Sequence, residues 1–386
     1  MVAVFVLTGL GLRFLPSVFK HHPHATPVPS SAIAKPPGPN TTQPVAVAPR
    51  GRPDGIIGPV SPWNPAERLI VAGERPSWFW PASGRLSRIR GLPDSPAGYS
   101  VTRAVGGWVI QAAPPAGAKC TSCSTPPPPV YFLADRAATA VPLGVGTTVA
   151  PAAQPHAAWL TTYVASVYGG APGSQSGIAH EVRAGGRMTG PGVRLPPGYV
   201  IITGTSRGLL LTPALGSPGS ADDELWNPET GHVVRRFGRV IGASPAGIAW
   251  SPPCQVRCVV GALDLVTGRQ RLISLPAGSS PASAQFSPDG RLLALELSFG
   301  SGGNAGALAM RLEVATMATG RLRVVPGSWA SSDALTGFGW PVPGDQLVAE
   351  LGFVTKVQIA SWHPGARRLA VAVVQPGQQP DELVVG

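Results

Sequence analysis

Beyond about residue 55 the chain alternates short runs of β-branched, leucine and aromatic residues with breaks built on Gly, Pro, Asn, Asp and Ser. Runs of this length between such breaks predict strands, and no 3.6-residue apolar period is sustained long enough to predict a helix. The breaks recur in two kinds. In the first, an apolar strand leads into a turn, often ending in Ser/Thr-Gly, and a second strand follows. It occurs at Trp80-Pro-Ala-Ser-Gly84, Leu225-Trp-Asn-Pro-Glu-Thr-Gly231, Leu263-Asp-Leu-Val-Thr-Gly268 and Ala318-Thr-Gly320. Weaker copies run over Phe132–Val141, Val182–Gly186 and Trp362–Leu369. Taking Gly84, Ala137, Gly186, Gly231, Gly268, Gly320 and Gly365 as markers, the seven copies lie 37 to 53 residues apart. In the second kind an aromatic precedes a Pro-containing turn and a hydrophobic strand. Examples begin at Trp63, Trp250, Phe286 and Trp340, with less regular counterparts at Trp108, Trp159 and Tyr199.

The two kinds interleave about seven times, which predicts an all-β fold of repeated four-stranded antiparallel blades. Gly supplies positive φ in the turns and Pro fixes its own φ there. One such sheet cannot bury both faces alone, so the blades are expected to stack around a ring as a seven-bladed β-propeller over residues 55–386. The stretch Phe286-Ser-Pro-Asp-Gly-Arg-Leu-Leu-Ala294 resembles the strand-turn motif of TolB-like and WD-repeat-like propellers. Asp264-Leu-Val-Thr-Gly268 resembles the downstream turn of the same families. This likeness implies the fold, and, with the WD dipeptide and its Gly-His partner absent, points to a membrane-anchored bacterial type rather than a cytosolic scaffold.

Composition agrees with the pattern. Gly (49) and Pro (45) make up about a quarter of the 386 residues, roughly twice their usual share. That excess excludes a helical bundle, since Pro costs about 3 kcal/mol in a helix interior. A 44% apolar content with ten Trp is enough to bury a large core, which excludes disorder throughout. The formal net charge is +11, carried almost entirely by Arg. Nucleic-acid binding calls for a concentrated basic stripe with interleaved aromatics, whereas the pairs Arg235-Arg236 and Arg367-Arg368 are isolated. A mild positive field suits an anionic envelope or polymer partner better, and no nucleic-acid partner is expected.

The N-terminus reads differently. Met1–Leu12 is apolar without interruption, followed by Arg13 and then Phe14, Leu15, Val18 and Phe19. This is shorter than a full membrane span and has no basic start or cleavage site. Residues 1–20 are therefore expected to form a signal-anchor whose cytoplasmic start lies upstream. Residues 21–54, including His21, His22 and His24, are Pro-rich and aperiodic, and are expected to be an extended, disordered stalk. Together they predict a single-pass membrane protein with an extracytoplasmic, monomeric propeller, secretion being the alternative.

The cysteines form two close pairs, Cys120/Cys123 and Cys254/Cys258. Zinc needs four converging ligands, yet these pairs fall in different repeats. A thioredoxin-type dithiol needs a following helix, which the flanking prolines forbid. Two small-loop disulfides, each between the second and third strands of a blade, are the favoured reading, and they fit an oxidising compartment. Gly204-Thr-Ser206-Arg-Gly208 matches a nucleophile-elbow pattern, but the strand after it predicts a hairpin instead. Asp222-Asp223-Glu224 lacks the alternating ligand pattern of a calcium loop and is expected to be a solvated loop.

No catalytic, cofactor or metal site emerges, so the expected function is a non-catalytic module binding a protein, peptide or glycan of the cell envelope. The alternative is a propeller-fold, lactonase-like or glycan-acting hydrolase with a site in the central channel. Asp135, Glu181, Glu296 and Glu350 are the scattered acids from which such a site would be assembled.

Overall fold

Each of the seven marked turns joins the third and fourth strands of one four-stranded antiparallel sheet. Gly84, Gly186, Gly231, Gly268, Gly320 and Gly365 all have φ between 66° and 94°, a region that favours glycine. The second blade departs from this rule by placing Arg136 in that region, at φ 67°. The coordinates are a computed structural model that describes residues 60–72, 74–113, 127–163, 177–214, 222–254, 257–299, 309–327, 330–331, 335–341, 346–353, 356–374 and 382–384. The anchor (1–20) and stalk (21–54) expected from the sequence lie outside these residues. No helix among the described residues is long and apolar enough to cross a membrane.

The blades follow in chain order. Blade 1 has Glu382–Val384 innermost, then Leu69–Ala72, Ser77–Trp80 and Arg85–Arg88. Blade 2 comprises Tyr99–Ala104, Gly107–Ala112, Pro129–Ala134 and Val141–Val145. Blade 3 comprises Thr148–Pro151, Ala157–Tyr163, Gly177–Arg183 and Arg187–Met188. Blade 4 comprises Tyr199–Thr205, Gly208–Pro213, Asp223–Trp226 and Val233–Phe237. Blade 5 comprises Arg239–Ser244, Gly247–Ser251, Val259–Asp264 and Gln270–Ser274. Blade 6 comprises Ser279–Phe286, Leu292–Phe299, Ala309–Thr316 and Leu322–Val324. Blade 7 comprises Leu335–Gly339, Leu347–Phe353, Lys356–Trp362 and Leu369–Val374.

The first and last described strands close the ring. The C-terminal strand supplies the inner edge of blade 1, and Val60–Ser61 pairs in parallel with the outer edge of blade 7. The core is divided among seven apolar clusters, one between each pair of neighbouring blades. Because side chains alternate across a strand, both faces of a blade are buried and its inner strands read as unbroken apolar runs. In Leu209-Leu210-Leu211, for instance, Leu210 packs toward blade 5 while Leu209 and Leu211 pack toward blade 3.

Strand direction gives the ring two unlike faces. Turns between first and second strands, and between third and fourth, lie on one face and are short, such as 105–106 and 245–246. The second-to-third connections leave from the other face and include residues 113–128, 164–176 and 300–308.

Candidate functional site

The innermost strands of blades 4, 5, 6 and 7 share a β-bulge at the same place, between Ile201/Thr203, Val240/Gly242, Pro281/Ser283 and Leu335/Gly337. A bulge inserts one residue, bends the strand and re-aims the side chains around it. The residue after each bulge is paired with Leu210, Ala249, Glu296 and Glu350 of the second strand, respectively. Two blades therefore carry a carboxyl where two others carry an apolar side chain.

In blade 6 this arrangement makes a polar slot. Cross-strand pairing and alternation place Ser280, Ser283, Glu296 and Ser298 on the face turned toward blade 7. Ala294 and Leu312 on that face belong to the apolar cluster with blade 7, and the polar residues follow toward the face of the long connections. The Ser283 hydroxyl donates to Glu296 Oε2 at 2.5 Å, and the Ser280 and Ser298 hydroxyls lie 2.8 Å apart. Burial pushes the Glu296 carboxyl above its ordinary range, opposed only in part by the Ser283 hydrogen bond. From blade 5, Arg239 Nη2 donates at 3.5 Å to the carbonyl of Ala282, the bulged residue beside Ser283. A half-buried carboxyl whose pKa burial raises, held by a hydroxyl on the channel-lining strand, is a candidate for giving and taking protons.

The other three acids are not gathered here. Asp135 lies at the short-turn face in a two-pronged ion pair with Arg103, at 2.6 and 3.0 Å. Glu181 is on the third strand of blade 3, where its Oε2 accepts from Thr189 Oγ1 at 2.8 Å. Glu350 occupies the position in blade 7 equivalent to Glu296, but by alternation it faces blade 1. Among the described residues no group of three or more His, Cys, Asp or Glu can hold a metal ion.

Three further sequence readings meet the structure. Cys254 and Cys258 form a disulfide between the second and third strands of blade 5, with Cα atoms 5.1 Å apart; Cys120 and Cys123 lie outside the described residues. Gly204–Gly208 is a hairpin turn joining the inner strands of blade 4. The acid triplet corrects its reading as a solvated loop. Asp223 and Glu224 are only 7% and 4% exposed, because the third strand of blade 4 starts at Asp223 and carries both into the interior. Asp223 Oδ2 accepts the Val240 N–H at 2.7 Å, joining blades 4 and 5, and Glu224 Oε1 accepts from Arg236 Nε at 2.9 Å. Glu296 had a sequence signal, a lone carboxylate within the apolar run Leu292–Phe299. Ser283 had none, because the bulge that pairs it with Glu296 leaves no mark in composition.

No protein-family model matches the chain, and no curated protein matches it. Its fold is similar to that of solved structures. One comes from a study of two prolyl endopeptidases and the role of inter-domain dynamics in their catalysis and specificity (TM-score 0.52, 14% identity, 82% of this chain and 50% of that chain). Another is an acylaminoacyl peptidase in complex with Z-Gly-Gly-Phe-chloromethyl ketone (TM-score 0.51, 10% identity, 80% of this chain and 50% of that chain). A third is the periplasmic gluconolactonase of Pseudomonas aeruginosa (TM-score 0.47, 14% identity, 83% of this chain and 99% of that chain). The chain spans about half the length of the two peptidases. At these identities the likeness is one of fold. It nonetheless overturns the expectation of a non-catalytic module, which rested on the missing catalytic constellation: this architecture is shared with enzymes over four-fifths of the chain.

Proposed function

We propose that the chain is a propeller-fold hydrolase, acting on an ester, lactone or glycosidic bond, with its site beside the central channel at the slot between blades 6 and 7. The observation that carries this reading is the Glu296 carboxyl, raised by burial and hydrogen-bonded to Ser283 on the channel-lining strand. Glu296 serves as the general acid and base, and Ser283 holds its carboxyl in place. The fold-level likeness to two peptidases supports hydrolysis as the reaction type, within the rule that one fold hosts many chemistries. The relation to TolB-like propellers, the tether through residues 1–54 and an extracytoplasmic location belong to the same proposal. Fractionation of cells without detergent addresses the tether: recovery of the chain in the soluble fraction overturns it.

The activity is tested by assaying the purified chain against chromogenic esters, lactones and glycosides. Turnover of one class is expected, falling about 100-fold or more in Glu296→Gln, the loss typical of a general acid–base group. Full turnover in Glu296→Gln overturns the assignment of Glu296. Absence of turnover on all three classes overturns the hydrolase reading.

A further inference from the structure

On the short-turn face, blades 1 and 2 meet through two tryptophans and two arginines. Trp78 and Trp108 are 2% and 0% exposed and belong to the one cluster between these blades. Arg68, immediately before the strand Leu69–Ala72, lays its guanidinium 4.4 Å from the centroid of Trp78. The Trp78 indole N–H donates to the Ala137 carbonyl at 2.7 Å, which holds the Asp135-Arg136 turn against the Arg68 side of the seam. Arg103 sits 5.0 Å from the centroid of Trp108, with its donors given to Asp135 and to the Gly107 carbonyl.

Two donors are left over. Arg68 Nη2 and Trp108 Nε1 are both buried, and neither has a hydrogen-bond partner. A guanidinium and an indole N–H donate only, so what they lack is an acceptor. The acids nearby do not supply it. Asp135 is engaged on both oxygens by Arg103, and Glu67, next to Arg68 in the chain, turns instead to Ser361 of blade 7. The local charge is positive as well: Arg136 acts on Arg68 repulsively and Asp135 attractively. Arg136 also holds a left-handed backbone where the corresponding turns have glycine, a departure of the kind found where a side chain is functionally constrained.

We propose that this seam between blades 1 and 2 is an oxyanion site, in which Arg68 Nη2 and Trp108 Nε1 donate to the oxygens of a carboxylate or phosphate group. Arg136, exposed at the seam, adds attraction from outside. The ligand class follows from the donors: a negative group with at least two acceptor oxygens. The site is on the opposite face from the long connections and stands independently of the hydrolase reading.

The test is a titration of the full ¹⁵N-labelled chain with inorganic phosphate and, separately, with acetate at constant ionic strength. The readout is the Trp108 indole N–H resonance, assigned by its loss in Trp108→Phe. A saturable shift of that resonance is expected, and the probe that binds more tightly identifies phosphoryl or carboxylate as the natural group. Arg68→Gln is expected to weaken binding about tenfold or more, the loss of one hydrogen bond from a charged donor. Arg136→Gly removes the outer charge while suiting the backbone, so it is expected to weaken binding several-fold in a chain at least as stable, and it keeps the test open if Arg68→Gln does not fold. Arg321→Gln, on the outer side of blade 6, is expected to bind as the parent does. No saturable Trp108 shift with either probe, or affinities unchanged in both Arg68→Gln and Arg136→Gly, overturns the proposal and assigns the two donors to trapped water.

Discussion

Gly242 and Gly337 follow the inner-strand bulges of blades 5 and 7 at equivalent positions, yet the structure gives them opposite surroundings. A Cβ on Gly242 would stand 2.1 Å from the carbonyl oxygen and 2.6 Å from the carbonyl carbon of Ala284, on the inner strand of blade 6. A Cβ on Gly337 would have nothing within 4 Å. Neither glycine has the positive φ that would strain an alanine, so the contrast is steric alone. At position 242 the obstacle is backbone, so two neighbouring inner strands must separate. Overpacking of this kind costs about 1–3 kcal/mol, and the upper half of that range is expected here. At position 337 alanine only restricts the unfolded chain, a gain of roughly 0.4–1 kcal/mol. With a specific unfolding entropy of about 2.1 cal/mol/K per residue, a propeller of roughly 325 residues loses about 3–4 °C in Tm for 2–3 kcal/mol and gains about 1 °C from the second change. Differential scanning calorimetry of Gly242→Ala and Gly337→Ala, side by side, measures both. Equal shifts in the two variants, or a stable Gly242→Ala, would refute the close approach of the inner strands of blades 5 and 6.

Cys254→Ser opens the disulfide to Cys258; a loop this short confines the unfolded chain by only about 2 kcal/mol, so urea unfolding is expected to show a modest drop, and alkylation of the unreduced, denatured chain is expected to leave both cysteines unlabelled in the parent. Burial acts to raise the Asp264 carboxyl, but the N–H and hydroxyl of Thr267 and the N–H of Val266 outweigh it and hold its pKa below the ordinary range. Its contribution is therefore present above the unfolded carboxylate range and lost as pH falls through the folded value. Asp264→Asn keeps the turn, as Asn227 does in blade 4, but lacks that ionised contribution, so it is expected to lower Tm modestly near neutrality and to converge on the parent at acid pH, flattening the acid limb of the Tm–pH curve. Glu296 has the opposite sign: its raised pKa makes the charged form costly as pH rises from the ordinary carboxylate range through the folded value. Glu296→Gln is expected to leave Tm unchanged at about pH 4 and to raise it at about pH 8, a gain in stability alongside the loss of activity. Arg271→Met deletes the bond from Nη2 to the Ala318 carbonyl of blade 6, 2.6 Å long, and is expected to cost about 1 kcal/mol in denaturant unfolding.

The turn rhythm was legible because it is local chemistry: a positive-φ position calls for Gly, and six of the seven marked turns have one. Phase was harder to read. An aromatic followed by proline signals a break without saying which break it is. Trp250 lies near the end of the second strand of blade 5, and Pro252 opens the connection that holds the disulfide, whereas Phe286 and Trp340 precede first-to-second turns. Tyr199 begins an inner strand rather than a second one. Closure was not legible at all, since Glu382–Val384 is three residues whose place is fixed only by pairing with Leu69–Ala72. The same limit applies to the site. Glu296 stands out as an acid in an apolar run, but its bond to Ser283 depends on a register shift between Pro281 and Ser283 that no pattern of residue types encodes.

The arginine excess has an explanation at the blade contacts. Arg235, Arg271 and Arg323 occupy equivalent positions on the outer strands of blades 4, 5 and 6, paired with Leu225, Ala262 and Val314. The extra residue between Gly231 and Arg235 is accounted for by the bulge after Leu225. Arg235 donates to Gln270 Oε1 and Arg271 to the Ala318 carbonyl, each on the next blade, and Arg323 lies beside Gly365 of blade 7. Arg207 repeats the device from the first-to-second turn of blade 4 by donating to the Leu265 carbonyl of blade 5 at 2.7 Å. Guanidinium suits this role because its several donors in a fixed plane reach a backbone carbonyl while the stem packs along the sheet. Many of the positive charges therefore bind the ring to itself, and a net charge of +11 overstates the field available to a partner. The argument for an anionic ligand is stronger where a guanidinium has a buried nitrogen with no hydrogen-bond partner, as Arg68 has at Nη2.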